Sequence, residues 1–327
     1  MPTQSQNNQN NQNNQHGDRI RVGTRGSPLA LVQANDVIVR LEGAGSVAPG
    51  GAEVSVISTA GDRIQDRLLA GVGGKGLFTK EIEQALLDGS IHMAVHSMKD
   101  VPTQLPDGLE IACLLAREDP RDVLFGAASI ADLAEAAVVG TSSLRRGAQI
   151  KNLRPDVAIA SLRGNVQTRL VKLQAGEADA TLLALAGLRR LGLVDTLIND
   201  GAGSVLEPTE LLPAVAQGAV GIEIRSDDTA VRQLLAPLNH RETQVAVSAE
   251  RALLASLDGS CRTPIAALAV PDGDALWLRA AVLFPDGSQR FDVERRGTVG
   301  DAVALGHDAG SELRSMAGPE LFESWQS

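Results

Sequence analysis

Cys261 stands in Gly259-Ser260-Cys261-Arg262-Thr263-Pro264, a turn of small and polar residues that sets a thiol beside a guanidinium. A neighbouring cation favours the thiolate, the form that attacks electrophiles, so this cysteine has a physical reason to react. The chain's other cysteine, Cys113, lies in Ile111-Ala112-Cys113-Leu114-Leu115-Ala116, where a small buried hydrophobe is expected. A thiol in a Gly/Ser/Pro turn is often incidental, and both readings of Cys261 stand until other residues are weighed.

Cations gather where strand-like runs give way to helical ones. Arg19-Ile20-Arg21-Val22-Gly23 alternates as a strand and runs into Thr24-Arg25-Gly26-Ser27-Pro28, so the loop before a helix over Leu29 to Arg40 presents Arg25 and Ser27. Ile91 to Val95 reads as a strand whose exit loop, His96-Ser97-Met98-Lys99-Asp100-Val101-Pro102, carries Lys99 and Asp100 to the end where open α/β sheets bind ligands. Ala137-Val138-Val139-Gly140 is a third strand, followed by Thr141, Ser142 and Ser143 as helix caps. Arg145 and Arg146 then fall in the helix's first turn, where each cation opposes the dipole by about 0.3–1 kcal/mol, a conflict that an anion would resolve. Asn165 caps a further helix, with Arg163 just outside its start and Arg169 one turn in.

Each of these arginines alone reads as a solvated surface charge. Their concentration at helix starts, in a chain of net charge −10, reads instead as a site for a small polyanion, because guanidinium forks grip carboxylates and phosphates bidentately. The acidic balance disfavours a general nucleic-acid binder. Gly73-Gly74-Lys75-Gly76 lacks the spacing and the Ser/Thr of a nucleotide-binding loop, leaving Lys75 as further positive charge. His92 and His96 are four apart, but the second ends a strand and no carboxylate completes a ligand set, so packing or hydrogen bonding is expected and no metal.

The elements around these loops alternate β and α, the pattern of α/β domains with largely parallel sheets, and 327 residues predict two or three cores. A helix is expected over Leu77 to Leu87. Past a strand over Ala219 to Arg225 the pattern changes. An amphipathic helix over His240 to Leu257 leads to Cys261, and strands over Ile265 to Val270, Leu276 to Phe284 and Arg290 to Arg295, with a turn at Pro285-Asp286-Gly287-Ser288, predict a small α+β domain with an antiparallel sheet. No apolar run is long enough for a membrane span, and residues 1–16, almost all Gln and Asn, read as a disordered tail rather than a secretory signal. Two cysteines at unrelated spacing fit a reducing compartment, with cytoplasm the expectation.

Seven ordered motifs carry a resemblance: Thr24-Arg25-Gly26-Ser27-Pro28-Leu29-Ala30, Gly73-Gly74-Lys75-Gly76-Leu77-Phe78, His96-Ser97-Met98-Lys99-Asp100-Val101-Pro102-Thr103, Gly140-Thr141-Ser142-Ser143-Leu144-Arg145-Arg146, Arg163-Gly164-Asn165-Val166, Leu212-Pro213-Ala214-Val215-Ala216-Gln217-Gly218 and the Cys261 turn. From about Arg19 to the C-terminus the chain resembles the porphobilinogen deaminases, also called hydroxymethylbilane synthases. The resemblance implies two domains of the type II periplasmic-binding-protein fold flanking a cleft, plus the small C-terminal α+β domain. The boundaries it suggests are a tail at 1–17, a discontinuous first domain at 18–116 and 217–237, a second at 117–216 and a third at 238–327. It implies a dipyrromethane cofactor held by a thioether at Cys261, with Lys99, Thr141, Ser142, Ser143, Arg145 and Arg146 around it. Asp100 matches the catalytic carboxylate, and Arg25, Ser27, Lys75, Arg163, Arg169, Arg189 and Gln217 match substrate contacts, although a structural role for Gln217 stays open. The implied reaction joins four porphobilinogen molecules head to tail, releasing ammonia each time and freeing hydroxymethylbilane by hydrolysis, with porphobilinogen and the growing chain as partners and the protein as a monomer. An anion-binding or regulatory protein on the same two-lobed fold is the rival reading, and would need neither Cys261 nor Asp100. Departures from the family pattern are Gly71, where a basic residue is common, and a short insertion around Ala202.

Overall fold

The computed structural model describes residues 19–63, 79–259 and 263–325, so the expectations for the N-terminal tail, Lys75 and Cys261 lie outside the described residues. The chain opens with β1 (Ile20–Thr24), α1 (Pro28–Gly43), β2 (Ala52–Val56), α2 (Ala60–Arg63), α3 (Lys80–Leu87), β3 (Met93–Ser97) and β4 (Leu109–Leu114). Ser27 caps α1 by accepting from the Ala30 N–H, with Pro28 in the first turn as its fixed φ favours. After crossing to a second sheet the chain forms β5 (Asp122–Phe125), β6 (Val138–Gly140), α4 (Leu144–Leu153), β7 (Ala158–Ala160), α5 (Val166–Gln174), β8 (Ala180–Ala184), α6 (Leu185–Arg190) and β9 (Gly203–Leu206). It then returns to the first sheet as β10 (Val220–Arg225) and α7 (Thr229–Leu235).

The first sheet has the order β2-β1-β3-β10-β4 and the second β7-β6-β8-β5-β9. These are one topology used twice: in each, a single strand laid down by a crossing of the chain runs antiparallel between its neighbours, β10 against β3 and β4, β5 against β8 and β9. Two α/β lobes of the expected kind result. The stretch that follows Ala202 is the edge strand β9 of the second sheet. Val22, Val37, Met93, Cys113 and Ile222 form the first core, and Leu124, Val139, Ile150 and Leu182 the second. Cys113 is the buried hydrophobe its surroundings predict.

The C-terminal part comprises α8 (Arg241–Ser256), β11 (Ile265–Asp272), β12 (Ala275–Leu283), β13 (Arg290–Thr298) and α9 (Ala302–Ser324). Its three strands form the antiparallel sheet that the sequence predicts, with α8 and α9 packed over one face around Val247, Leu253, Leu278 and Leu313. The long α9 is not anticipated. Gly306 and Gly310 weaken its helical signal, yet they are what lets it approach α8, since a Cβ at Gly306 would lie 2.2 Å from the Ala249 carbonyl oxygen. Gly318, at φ 68°, breaks the helix just before Pro319. Among the described residues no helix is long and apolar enough to cross a membrane.

All three parts meet at one buried ion pair. Arg117, on the first crossing between the lobes, sends Nη1 and Nη2 to Glu250 Oε1 and Oε2 at 2.6 and 3.1 Å, and its Nε to the Gln217 carbonyl on the second crossing at 2.9 Å. Glu250, fully buried on α8, also accepts from the Ala216 N–H at 2.6 Å and from the Ala269 N–H of β11 at 2.8 Å. Beside it the crossings touch: a Cβ at Gly218, φ +90°, would lie 2.2 Å from the Glu118 carbonyl oxygen, so only glycine fits. Removing one partner of such a pair strands the other, at a cost of about 3–5 kcal/mol. Glu250→Ala is therefore expected to lower the thermal midpoint by several degrees and to loosen the C-terminal part from the lobes in hydrogen exchange; an unchanged midpoint would remove the pair from its organising role.

Candidate active site between the lobes

In the first lobe, β3 ends in a single tight turn, Met98–Asp100, which buries Met98 and leaves Lys99 and Asp100 at the strand's C-terminal end. Arg25 and Ser27 arrive from the neighbouring exit of β1. These four residues, with Gln33, Thr79, His96 and Ser97, line a cavity of about 90 Å³. Gln33, buried on α1, bonds through Nε2 to Ser97 Oγ at 2.9 Å, which fixes that hydroxyl at the cavity wall.

In the second lobe, β6 delivers Thr141, Ser142 and Ser143 to the start of α4. Ser143 is the cap, accepting from the Arg146 N–H, while Thr141 Oγ1 accepts from the Ser143 N–H and Ser142 Oγ lies 3.0 Å from Ser161 Oγ. Asn165 caps α5 through the Thr168 N–H at 2.9 Å, and Arg169 donates from Nε to the Gly164 carbonyl at 2.9 Å.

The conflict posed by two arginines in a helix's first turn has an internal resolution. Arg145 Nη2 and Arg146 Nη2 grip the two oxygens of Asp122 at 2.7 and 2.6 Å, and their Nη1 groups donate to the Leu212 and Leu182 carbonyls. Both side chains are buried, at 4% and 6% exposure, so they turn inward where the sequence alone would point them at a ligand. Burial by itself would raise the Asp122 carboxyl; the two guanidiniums overcome it and hold it well below the usual carboxylate range. Gln217, also buried, donates to Asp122 Oδ1 at 3.0 Å and to the Pro120 carbonyl at 2.6 Å, a structural link at the crossing. Arg189 pairs with Glu118 at 2.7 Å and reaches Asp119 at 3.5 Å, on the crossing segment, and does not join the cavity residues.

Electrostatic coupling shows which residues the lobes bring together. Burial in the cleft pushes the Lys99 amine down to about 8, with Asp100 and Asp122 opposing and Arg146 and Arg145 adding to the effect. Burial likewise pushes Arg169 down to about 10, helped by Arg146 and Arg163 and opposed by Asp100. Asp100 of the first lobe therefore sits in the field of arginines from the second. Arg25, Lys99, Arg163 and Arg169 face a cleft in which cations repel one another, the condition that a polyanion relieves. Asp122, Gln33 and Ser97 are the residues of this arrangement that sequence reasoning passes over, while His96, expected to pack or hydrogen-bond, does bond to Glu223 and lines the cavity as well. Asp122 had a signal, because two arginines in a first turn demand an anion and it opens an otherwise apolar strand. Gln33 had a weaker one, a polar residue on the buried helix face with Ala34 and Val37.

For Lys99 the charged form is disfavoured on folding, so between about 8 and the ordinary lysine range the unfolded chain binds more protons and stability rises with pH. Carbon-13 reductive methylation followed by NMR titration is expected to give one dimethyl-lysine resonance with a midpoint near 8 that is missing from Lys99→Arg; a midpoint in the ordinary lysine range would contradict the burial.

Residues 20–233 match the family model described as porphobilinogen deaminase, dipyromethane cofactor binding domain, and residues 244–315 match that of the porphobilinogen deaminase C-terminal domain. The chain is 54% identical over 303 residues to the porphobilinogen deaminase of Nitrobacter hamburgensis, covering 92% of this chain and 94% of that one. It is 52% identical over 306 residues to that of Paracoccus denitrificans, covering 93% and 96%. Among solved structures, YhfZ from Shigella flexneri superimposes with a TM-score of 0.36 at 17% identity, over 74% of this chain and 98% of that one. The GluR0 ligand-binding core in complex with L-glutamate does so with a TM-score of 0.37 at 12% identity, over 67% and 91%. With both family models in chain order across two lobes and a C-terminal sheet, and with relatives this similar over nearly the whole length, the chain belongs to the porphobilinogen deaminase family.

Proposed function

We propose that this cleft condenses four molecules of porphobilinogen head to tail into hydroxymethylbilane, with Asp100 as the catalytic carboxylate. The observation that carries the assignment is the placement of Asp100, on the tight turn after β3, inside a ring of cations drawn from both lobes. Each pyrrole of substrate and product carries two carboxylates, so a growing chain is a polyanion that grows more negative with each step. Arg25, Lys99, Arg163 and Arg169 supply matching charge, and Ser27 and Ser142 supply hydroxyls. Arg145 and Arg146, closed on Asp122, contribute the field of a fixed cationic floor and the N-terminus of α4. Lys75 joins this set by the resemblance alone.

The family's dipyrromethane fits the donor set, since four carboxylates would offset the burial and the Arg146 and Arg163 charges that together press Arg169 down to about 10. It would be held through Cys261, with Lys99 and the Thr141–Ser143 segment around its carboxylates, and when bound it supplies the pyrrole to which substrate is first joined. The chain's own residues do the rest. Loss of ammonia from porphobilinogen leaves an electron-poor methylene-pyrrole, and C–C bond formation puts positive charge on ring nitrogens. Asp100 stabilises that charge, while the surrounding arginines orient the rings through their carboxylates. A monomer working in the cytoplasm accompanies this reading.

Asp100→Asn keeps the side chain's size and removes its charge. It is expected to fold normally and bind porphobilinogen within a few-fold of wild type while losing at least about a hundredfold in kcat. Turnover within a factor of a few of wild type, measured by porphobilinogen consumption, would sink the assignment.

A further inference from the structure

Behind the cavity wall, on the α3 side of the first sheet, lies a dry group of titratable side chains that the assignment to Asp100 leaves unused. His96 lines the cavity with Lys99 and Asp100, and its Nε2 lies 2.9 Å from Glu223 Oε2 on the neighbouring strand β10, where Gly221 is its register partner. The two side chains are 5% and 0% exposed. A carboxylate accepts, so Nε2–H donates to Glu223, which orients the ring and leaves Nδ1 as its free acceptor. Glu83, at 8% exposure on α3, couples electrostatically to both Glu223 and His96. Among the described residues, one oxygen of Glu83 and one of Glu223 have no hydrogen-bond partner. Two buried carboxylates with unsatisfied oxygens and an imidazole are expensive, and apolar residues would pack the space with no such penalty.

We propose that His96, backed by Glu223, is the base that takes the proton lost from the acceptor pyrrole at each condensation. The inference rests on the porphobilinogen deaminase reading. In the step, the C–N bond of the protonated aminomethyl group breaks and its electron pair leaves with ammonia. A new C–C bond then forms between the electron-poor methylene and the free α-carbon of the acceptor ring. The α-C–H bond breaks, its electrons restore the aromatic ring, and the proton passes to His96, whose charge Glu223 balances. The same proton is then handed to the released ammonia, which departs as ammonium, and the imidazole is neutral again. No other reactant is consumed. Asp100 and His96 thus divide the work: one carboxylate steadies charge on the rings, and one imidazole at the same cavity moves the proton.

The charged groups around His96 are Glu223 from β10, Glu83 from α3, Arg25 from the exit of β1, Lys99 and Asp100 from the following turn, and Arg251 of α8, which couples to Glu223. His96→Gln and Glu223→Gln test the proposal, with porphobilinogen deuterated at its free α-carbon as the probe. Wild-type consumption of porphobilinogen in the same assay tests the underlying reading separately. In His96→Gln we expect an unchanged thermal midpoint within a few degrees, unchanged KM, a kcat lowered about a hundredfold, and an α-deuterium isotope effect on kcat raised well above the wild-type value. Glu223→Gln, which keeps the ring in place, should shift the acidic limb of the kcat–pH profile, and should shift the His96 imidazole titration seen by NMR in protein not exposed to substrate. An active wild type whose His96→Gln variant keeps its kcat within twofold, or loses kcat with no change in isotope effect, would overturn the proposal. So would an imidazole titration indifferent to Glu223→Gln.

Discussion

Asp122 gives one carboxylate oxygen to Arg145 and the other to Arg146, and the layout of the cleft follows from that pairing. Two guanidiniums beside one another at the start of α4 would drive each other apart and oppose the helix dipole. One buried carboxylate on β5, across β8 from the strand that leads into α4, holds both in place and leaves a net positive charge beneath the cleft. Gln217 ties the same carboxylate to the second crossing segment, so the floor of the site and the joint between the lobes share one hydrogen-bond network. The charge of that floor is felt in the opposite lobe, where it helps depress Lys99.

A second buried carboxylate plays the corresponding part for the architecture. Glu250 satisfies Arg117 and two backbone N–H groups, from Ala216 and Ala269, and so joins both crossings to the C-terminal sheet. The segment bearing Cys261 lies between α8, which carries Glu250, and β11, which is bonded to it. A cofactor tethered through it would join the chain between two elements that Glu250 ties to both crossings. Only two short crossings link those lobes, so the distance between Asp100 and the arginines of the second lobe is a property of the joint as much as of the loops.

Much of this was legible in the chain. The strand exits bearing Arg25, Lys99 and Asp100, and the helix start beside Arg163, were readable because short alternating runs and caps are local information. The caps at Ser143 and Asn165 form where their residue types predict, and Ser27, read as a loop residue, caps α1 as well. The antiparallel C-terminal sheet was legible from its turn chemistry, whereas α9 was not, since its glycines serve a contact with α8 that only the fold reveals. The inward turn of Arg145 and Arg146 was half legible: their position required an anion, but that the anion is Asp122 depends on β5 lying beside β8 in a strand order that no local pattern encodes. His96 and Glu223 are far apart in sequence and meet through an antiparallel register for the same reason. Gln217 could be placed near a crossing from its motif, and its hydrogen bond to Asp122 could not, because the two meet only in the fold.

The account stands on a polyanion anchored by a thiol among cations. Its most direct test is the intact mass of the purified protein, before and after incubation with porphobilinogen, beside that of Cys261→Ala. The account predicts a mass excess equal to two linked pyrrole units on the wild-type chain and none on the variant. The same excess on the variant, or an unmodified wild type after incubation, would contradict it.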